Sequence, residues 1–185
     1  MRAARGIALL AGAFWLGLAT PQTSTGTVAP TEQQLKAVFV FKLSHFVEWP
    51  AQSFAKPDEP FVIGVLGSAE FAAHLQEAIR DESVDTHPLV VRRFRNVEEI
   101  GDCQILYMER SQGDVLAQIR PFLETHATLT VSDLDDAARH GVIVQLSNEN
   151  NHIRLVINPD AARSAGLTIS SNLLRLATQT RVKDD

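Results

Sequence analysis

Gly64, Gly67 and Ser68 are the first residues in the chain whose types and spacing could bind a ligand. They lie where the apolar run 61–66 gives way to a helical segment. Glycines at such a turn, followed by a helix N-terminus, can cradle a phosphate. The sequence lacks both the third glycine of a dinucleotide fingerprint and the Gly-Lys-Ser/Thr of a Walker loop. A tight turn with Ser68 as helix cap explains the same residues.

Asp133 is the acidic residue best placed for chemistry. It follows the apolar run 128–131, and parallel sheets bind ligands at the carboxyl ends of their strands. Together with Gly67 and Ser68, it defines a candidate ligand-binding site. Asp133 also fits as the N-cap of a helix that begins at Leu134.

The rest of the sequence supplies no catalytic set. It has no Gly-x-Ser-x-Gly elbow, and the adjacent acids of Glu98-Glu99 and Asp135-Asp136 point in different directions. The six histidines are scattered, without the i,i+3 or i,i+4 pairs of zinc sites: His45, His74, His87, His126, His140 and His152. We therefore expect neither an enzyme nor a metal or other cofactor.

The N-terminal residues are typical of a secretory signal. Arg2 and Arg5 precede an apolar run at 7–18, and a small-x-small cleavage site ends at Ala19. The run is shorter than the roughly 20 residues that a membrane-spanning helix needs. The sequence thus predicts a periplasmic protein with a signal peptide over 1–19 cleaved near Ala19, a flexible linker over 20–30, one domain over 31–179 and a frayed tail over 180–185.

Charge and cysteine content narrow the possible partners. Asp and Glu number 22 against 17 Lys and Arg, a formal net charge of −5, so nucleic acid is not an expected partner. Cys103 is the only cysteine, which excludes an intramolecular disulfide. It is predicted to be a buried, inert thiol or, alternatively, half of an intermolecular disulfide.

Short apolar runs alternate with helical segments through most of the chain. Strands are predicted at 61–66, 89–94, 105–107 and 128–131, and helices at 70–80, 115–123 and 134–139. The runs 142–146 and 153–157 flank a turn-rich segment and predict a hairpin, followed by helices after Asn158 and Ser170. We expect a single α/β domain with a central mixed, mostly parallel sheet of about six strands, flanked by helices, with a C-terminal β-hairpin and helices.

The segment from Thr31 to Pro50 predicts a helix that ends at Glu48-Trp49-Pro50. Thr31 and Gln34 match a capping box. At ~100° per residue one broad apolar face collects Leu35, Val38, Phe39, Leu43, Phe46 and Val47. Phe41 points to nearly the opposite side, which predicts either burial from two sides or a contact with another chain.

The pattern over residues 31–177 resembles the YfiR family of bacterial periplasmic proteins. The matching pieces, in the family's order, are Phe46-Val47-Glu48-Trp49-Pro50, 60–67 with Phe71, 103–106, 129–133, 141–143, 153–158, and 165–170 leading into 173–177. The resemblance implies a central sheet flanked by helices, often in a dimer, and regulation without catalysis. Known members can be braced by disulfides, which the lone Cys103 cannot form within one chain.

The resemblance also implies a partner. The best-understood members bind the periplasmic sensor part of an inner-membrane diguanylate cyclase and keep cyclic-di-GMP low, and an outer-membrane, peptidoglycan-binding lipoprotein can capture the regulator. We therefore expect an inhibitory adaptor that forms a homodimer, with Phe41, Glu48 and Trp49 as candidate partner contacts because aromatic residues dominate interfaces. The alternative is a periplasmic small-molecule sensor that binds its ligand at Gly67, Ser68 and Asp133.

Overall fold

The computed structural model describes residues 29–179 except 55, 57, 113–114, 124–125 and 150–151. The predicted signal peptide, the linker up to residue 28 and the predicted tail lie outside the described residues. The helices are α1 (Glu32–Leu43), α2 (Ala69–Ala78), α3 (Val115–Leu123), α4 (Pro159–Ser164) and α5 (Ser171–Leu176). The strands are β1 (Val47–Glu48), β2 (Phe61–Leu66), β3 (Ser83–Val84), β4 (His87–Phe94), β5 (Ile105–Met108), β6 (Leu129–Ser132), β7 (Val144–Glu149), β8 (His152–Ile157), β9 (Thr168–Ile169) and β10 (Thr178–Gln179).

The central sheet has eight strands in the order β10-β8-β7-β6-β5-β2-β4-β3. From β7 to β4 every neighbouring pair is parallel. The hairpin partner β8 runs antiparallel to β7, and the edge strand β3 runs antiparallel to β4. The predicted α/β domain with a mostly parallel sheet and a C-terminal hairpin is confirmed. Its two extra strands, β3 and β10, have two residues each, too few to leave a periodic pattern.

Alternating residues of the inner strands pack into two hydrophobic layers, as expected for a sheet covered on both faces. On β2, Phe61, Ile63 and Val65 face the layer that contains α1, α2, α4 and α5. Val62 and Leu66 face the layer that contains Ile119 of α3. The carboxyl ends of the parallel strands lie outside these two layers, and polar side chains lie along this edge of the sheet.

Helix α1 begins as predicted but ends earlier. Thr31 and Gln34 form both bonds of the capping box. The helix stops at Leu43, where the Ser44 hydroxyl donates to the Phe41 carbonyl at 2.6 Å. The chain then forms β1, which pairs antiparallel with β9. The prediction of a helix up to Glu48 was wrong because Val47 and Glu48 pair with β9, a segment distant in the sequence, and form a strand instead.

The face that α1 buries is also not the predicted one. Ala37, Val40 and Phe41 are 0 to 2% exposed, whereas Val38 of the predicted core face is 44% exposed. Because α1 is apolar around most of its circumference, periodicity alone could not determine which side faces the core. Its rotation instead buries Lys36 against an acidic side chain of the sheet.

Candidate functional site

Lys36 and Asp133 form a buried ion pair at the carboxyl edge of the sheet. Asp133 directly follows β6, and its Oδ2 lies 2.7 Å from Lys36 Nζ. Glu32 Oε1 lies 2.6 Å from the same ammonium group. Burial lowers the pKa of Lys36, but the hydrogen bonds to Asp133 and Glu32 outweigh it and raise the pKa above its ordinary value of 10.5. The bond from Lys36, and then the bond from Asn148, lowers the pKa of Glu32, so Glu32 and Lys36 both stay charged at neutral pH.

Arg110 connects Asp133 to the loop that follows β5. Its backbone N–H donates to Asp133 Oδ1 at 2.6 Å, and its Nε donates to the Asp133 carbonyl at 3.2 Å. At the exposed end, Arg110 Nη2 donates to Asp135 at 2.7 Å. Both carboxylate oxygens of Asp133 therefore have a donor within the chain, and the network links α1, β5 and β6.

Glu109 occupies the N-terminus of α2. The Ser68 backbone N–H donates to Glu109 Oε2 at 2.6 Å, and the Ser68 hydroxyl donates to Oε1 at 3.2 Å. The Ser68 hydroxyl also accepts the Phe71 N–H at 3.1 Å, which makes Ser68 the helix cap. A Cβ on Gly67 would lie 2.8 Å from Glu109 Cβ. The chain's own carboxylate thus fills the place where a phosphate would bind.

Tyr107 places a buried hydroxyl beside this network. The residue is 0% exposed, its ring stacks on Phe71 at 4.0 Å, and among the described residues its hydroxyl forms no hydrogen bond of good geometry. Burial, and then the negative charges of Asp133 and Glu109, raise the pKa of Tyr107. It therefore remains a neutral phenol and is not a base.

We name the connected group of Glu32, Lys36, Ser68, Glu109, Arg110 and Asp133 the edge cluster; it lines a cleft of about 870 Å³. The structure brings the predicted ligand residues Ser68 and Asp133 to this cleft, with Gly67 packed beneath Glu109. Lys36, Glu109 and Arg110 were missed by the sequence reasoning. Glu109 and Arg110 directly follow β5, so the strand-end rule that selected Asp133 could have found them.

The edge cluster has the chemistry of a structural network. Its carboxylates are bonded to donors of the same chain, and the Ser68 hydroxyl, which donates to Glu109, also accepts the Phe71 N–H as the cap of α2. No group of three or more His, Cys, Asp or Glu side chains within the described part of the chain could hold a metal ion.

A second cleft, of about 470 Å³, contains two of the predicted partner contacts, Glu48 and Trp49. We name it the aromatic cleft; it is lined by Ser44, His45, Val47, Glu48, Trp49, Phe54, Phe61, Val84, Asp85 and His87. Trp49 packs edge-on against Phe61 with ring centroids 4.9 Å apart, and its Nε1 donates to the Gln104 carbonyl at 3.1 Å. Phe54 stacks on His87 at 3.9 Å.

Phe41, the third predicted partner contact, lies in the core. It is 2% exposed, its ring meets His45 edge-on at 5.3 Å, and Lys42 Nζ lies 4.5 Å from its centroid. The structure buries Phe41 against the core together with Ala37 and Val40, on one face of α1, so neither of its two predicted placements is observed. This corrects the expectation of an outward aromatic ring: α1 turns Phe41 inward because its opposite face, with Val38, is the exposed one.

Cys103 is a buried thiol with 5% exposure. Burial, and then the charge of Asp102, raise the pKa of Cys103 to about 12. These properties fit the inert thiol and not the intermolecular disulfide, since disulfide formation requires an accessible thiolate.

A family model described as YfiR/HmsC-like matches residues 33–178. The chain belongs to this family. The resemblance predicted from the sequence pieces is thereby confirmed, and it covers nearly all the described residues. Membership of the YfiR/HmsC-like family indicates a periplasmic regulatory protein.

Other comparisons add only the fold to the YfiR/HmsC-like assignment. No curated protein matches the chain significantly. A crystal structure of a conserved domain protein from Vibrio cholerae O1 biovar eltor str. N16961 is similar, with a TM-score of 0.57 and 13% sequence identity. The match covers 81% of this chain and 60% of that one, so this chain spans less than two thirds of the similar structure's length.

No helix in the described ranges is both long and apolar enough to span a membrane.

Proposed function

We propose that this chain binds the periplasmic sensor part of an inner-membrane diguanylate cyclase and inhibits the enzyme, lowering cyclic-di-GMP. The observation that carries the proposal is the YfiR/HmsC-like match over residues 33–178. The edge cluster supports it, because charges paired within the chain hold the helices on the sheet. We infer that the function is binding and that the adaptor acts through its surface.

Inhibition requires that the adaptor distinguish two states of the cyclase. A bound protein shifts such an equilibrium only by its difference in affinity for the two states. Moving a population from 99% active to 99% inactive needs a difference of about 10⁴-fold. The adaptor therefore has to bind a surface of the sensor that changes between the states.

The surface of this chain offers two apolar regions for that contact. One is the outer face of α1, where Leu35 and Phe39 are half-buried and Val38 is 44% exposed. The other is the aromatic cleft with Glu48 and Trp49. We propose Glu48 and Trp49 as partner contacts, whereas Phe41 acts indirectly by holding α1 in its position.

The test uses a strain that lacks the gene for this chain. We expect cyclic-di-GMP to rise in the deletion strain and to fall when the chain is restored, and the tagged chain to co-purify with a membrane-anchored diguanylate cyclase. Glu48→Lys should reduce both effects, whereas Glu98→Lys, which reverses an exposed charge on another part of the surface, should not. Unchanged cyclic-di-GMP together with no cyclase in the purified complex would refute the proposal.

Two further partners belong to the proposal through the family resemblance. We propose that the chain forms a homodimer and that an outer-membrane, peptidoglycan-binding lipoprotein releases the cyclase by capturing it. Light scattering of the purified chain measures whether it forms a dimer, and a monomer at all concentrations would contradict the homodimer.

Co-purification of the chain with such a lipoprotein from a detergent extract tests the capture.

The edge cluster favours one alternative function, a periplasmic small-molecule sensor. The predicted residues Ser68 and Asp133 do line one cleft of about 870 Å³. A ligand screen by thermal shift tests the alternative, since a bound ligand raises the melting temperature. A shift that Asp133→Asn abolishes and the rim variant Asp135→Asn retains, each measured from its own baseline, would favour the sensor; no shift with any ligand counts against it.

A further inference from the structure

The floor of the aromatic cleft is held in place by ring contacts and one hydrogen bond. Phe61 lies on β2 and is 0% exposed. Trp49 packs edge-on against it and is fixed through its Nε1 by the Gln104 carbonyl. Phe54 lies 6.2 Å from Phe61, centroid to centroid. An apolar surface held by such contacts loses little entropy when it is covered.

The rim of the cleft carries two exposed carboxylates, those of Glu48 and Asp85. Glu48 is exposed on β1, where it pairs with Thr168 of β9. Asp85 is exposed in the turn between β3 and β4, with φ of 51°. Neither side chain forms an ion pair or a hydrogen bond with any residue in the described ranges.

The other lining residues leave this negative charge uncompensated. Neither Lys nor Arg lines the cleft. Its histidines are His45, which contacts Phe41 edge-on, and His87, whose Nδ1 lies 2.6 Å from the Glu59 carbonyl. The two exposed carboxylates of the rim therefore attract cations.

We infer that the aromatic cleft binds a basic segment of the partner protein, whose Arg or Lys side chain enters between Glu48 and Asp85. The long apolar stem of such a side chain suits an aromatic floor, while its charged end suits two free carboxylates. An apolar neighbour in the same segment would cover Trp49 and Phe54. The inference rests on the proposed function, which supplies a protein as the partner, and it specifies the chemistry of the contact.

The size and charge of the cleft agree with this occupant. About 470 Å³ lies within the ordinary range of binding sites, ~300–1,000 Å³, and accommodates side chains from a segment. The whole chain has a net charge of −5, which would steer a basic surface towards it. A small organic cation is the competing occupant, and the experiment has to exclude it.

Trp49 can report binding directly. The mature chain that follows the predicted signal peptide over 1–19 has one tryptophan, Trp49, so its indole N–H gives a single signal in an NMR spectrum. The probes are N-acetyl-Leu-Arg-amide, its citrulline counterpart, which is uncharged and nearly isosteric, and choline. We expect the Trp49 signal to move with the arginine peptide at millimolar concentrations and to stay unchanged with the citrulline peptide.

The double variant Glu48→Gln, Asp85→Asn tests the two carboxylates. Asn tolerates the positive φ at position 85, so the turn should persist. Loss of the two exposed charge pairs should weaken arginine-peptide binding by about two- to thirtyfold. Glu98→Gln removes an exposed charge elsewhere and should leave binding unchanged.

The contradicting results are separate for each step. No movement with the arginine peptide, equal binding of the citrulline peptide, or choline binding as tightly as the arginine peptide overturns the inference. If the wild-type chain and the double variant capture the cyclase equally well, the cleft inference fails and the proposed function stands. If the arginine peptide binds but neither protein captures a cyclase, the proposed function fails while the preference of the cleft for a peptide cation stands.

Discussion

The edge cluster and the aromatic cleft use the same acidic residue types in opposite ways. In the edge cluster, Asp133 and Glu109 accept hydrogen bonds from donors that the chain itself supplies. In the aromatic cleft, Glu48 and Asp85 are exposed and have no partner in the described chain. The first arrangement holds α1 and α2 on the sheet. The second leaves charge available to another molecule.

This difference predicts which substitutions affect stability and which affect binding. Removing one partner of a buried pair leaves an uncompensated charge and costs about 3–5 kcal/mol. Removing an exposed, unpaired charge usually changes stability by less than about 0.5 kcal/mol. Substitutions in the edge cluster should therefore affect folding, and substitutions in the aromatic cleft should affect binding.

The largest effect is expected for Lys36→Met. It leaves Asp133, which is 4% exposed, without its ammonium partner and should lower the free energy of unfolding by about 3–5 kcal/mol. Urea denaturation measures it. The matched control, Lys42→Met, removes an exposed lysine of the same helix whose ammonium group lies over the Phe41 ring, and should cost about 1 kcal/mol or less. Equal losses in the two variants would contradict the structural role of the ion pair.

The next effect is expected for Gly67→Ala. The new Cβ would lie 2.8 Å from Glu109 Cβ, so Glu109 has to move away from the α2 N-terminus, at a cost of about 1–3 kcal/mol. Gly101→Ala is the control, because a Cβ there meets nothing within 4 Å. It should be neutral or stabilising by up to about 1 kcal/mol. If Gly67→Ala is equally harmless, Glu109 does not depend on the glycine.

The comparison also shows what sequence reasoning could reach. Strands such as β2 are continuous apolar runs in the sequence. The positions at which these runs end correctly predicted that Asp133 and Ser68 lie at the carboxyl edge of the sheet. The rotation of α1 could not be predicted, because apolar residues surround it and the deciding contact, Lys36 with Asp133, joins segments 97 positions apart. The aromatic cleft could not be predicted for the same reason. Long-range contacts, among them the β1–β9 pairing, bring Trp49, Phe54 and Asp85 together.

A smaller effect is expected in the pH dependence of stability. The lowered pKa of Glu32 means that its contribution is present above its ordinary value of 4.5 and is lost as the pH falls through the lowered pKa. The raised pKa of Lys36 means that its contribution is present below 10.5 and is lost as the pH rises through the raised pKa. The melting temperature of the wild-type chain should fall below pH 4.5 and above pH 10.5. In Lys36→Met it should fall less on both sides. Unchanged profiles would contradict the coupling of Glu32 and Lys36.

The smallest effect on stability is expected for the double variant Glu48→Gln, Asp85→Asn. Both side chains lack partners in the described chain, so the free energy of unfolding should change by less than about 0.5 kcal/mol, a shift in melting temperature of about 1–2 °C. The same variant is expected to weaken binding of the arginine peptide. A loss of more than about 1 kcal/mol would mean that these carboxylates support the fold, and the contrast between the two clefts would then disappear. Stability that is retained while binding is lost is the combination that only a recognition surface produces.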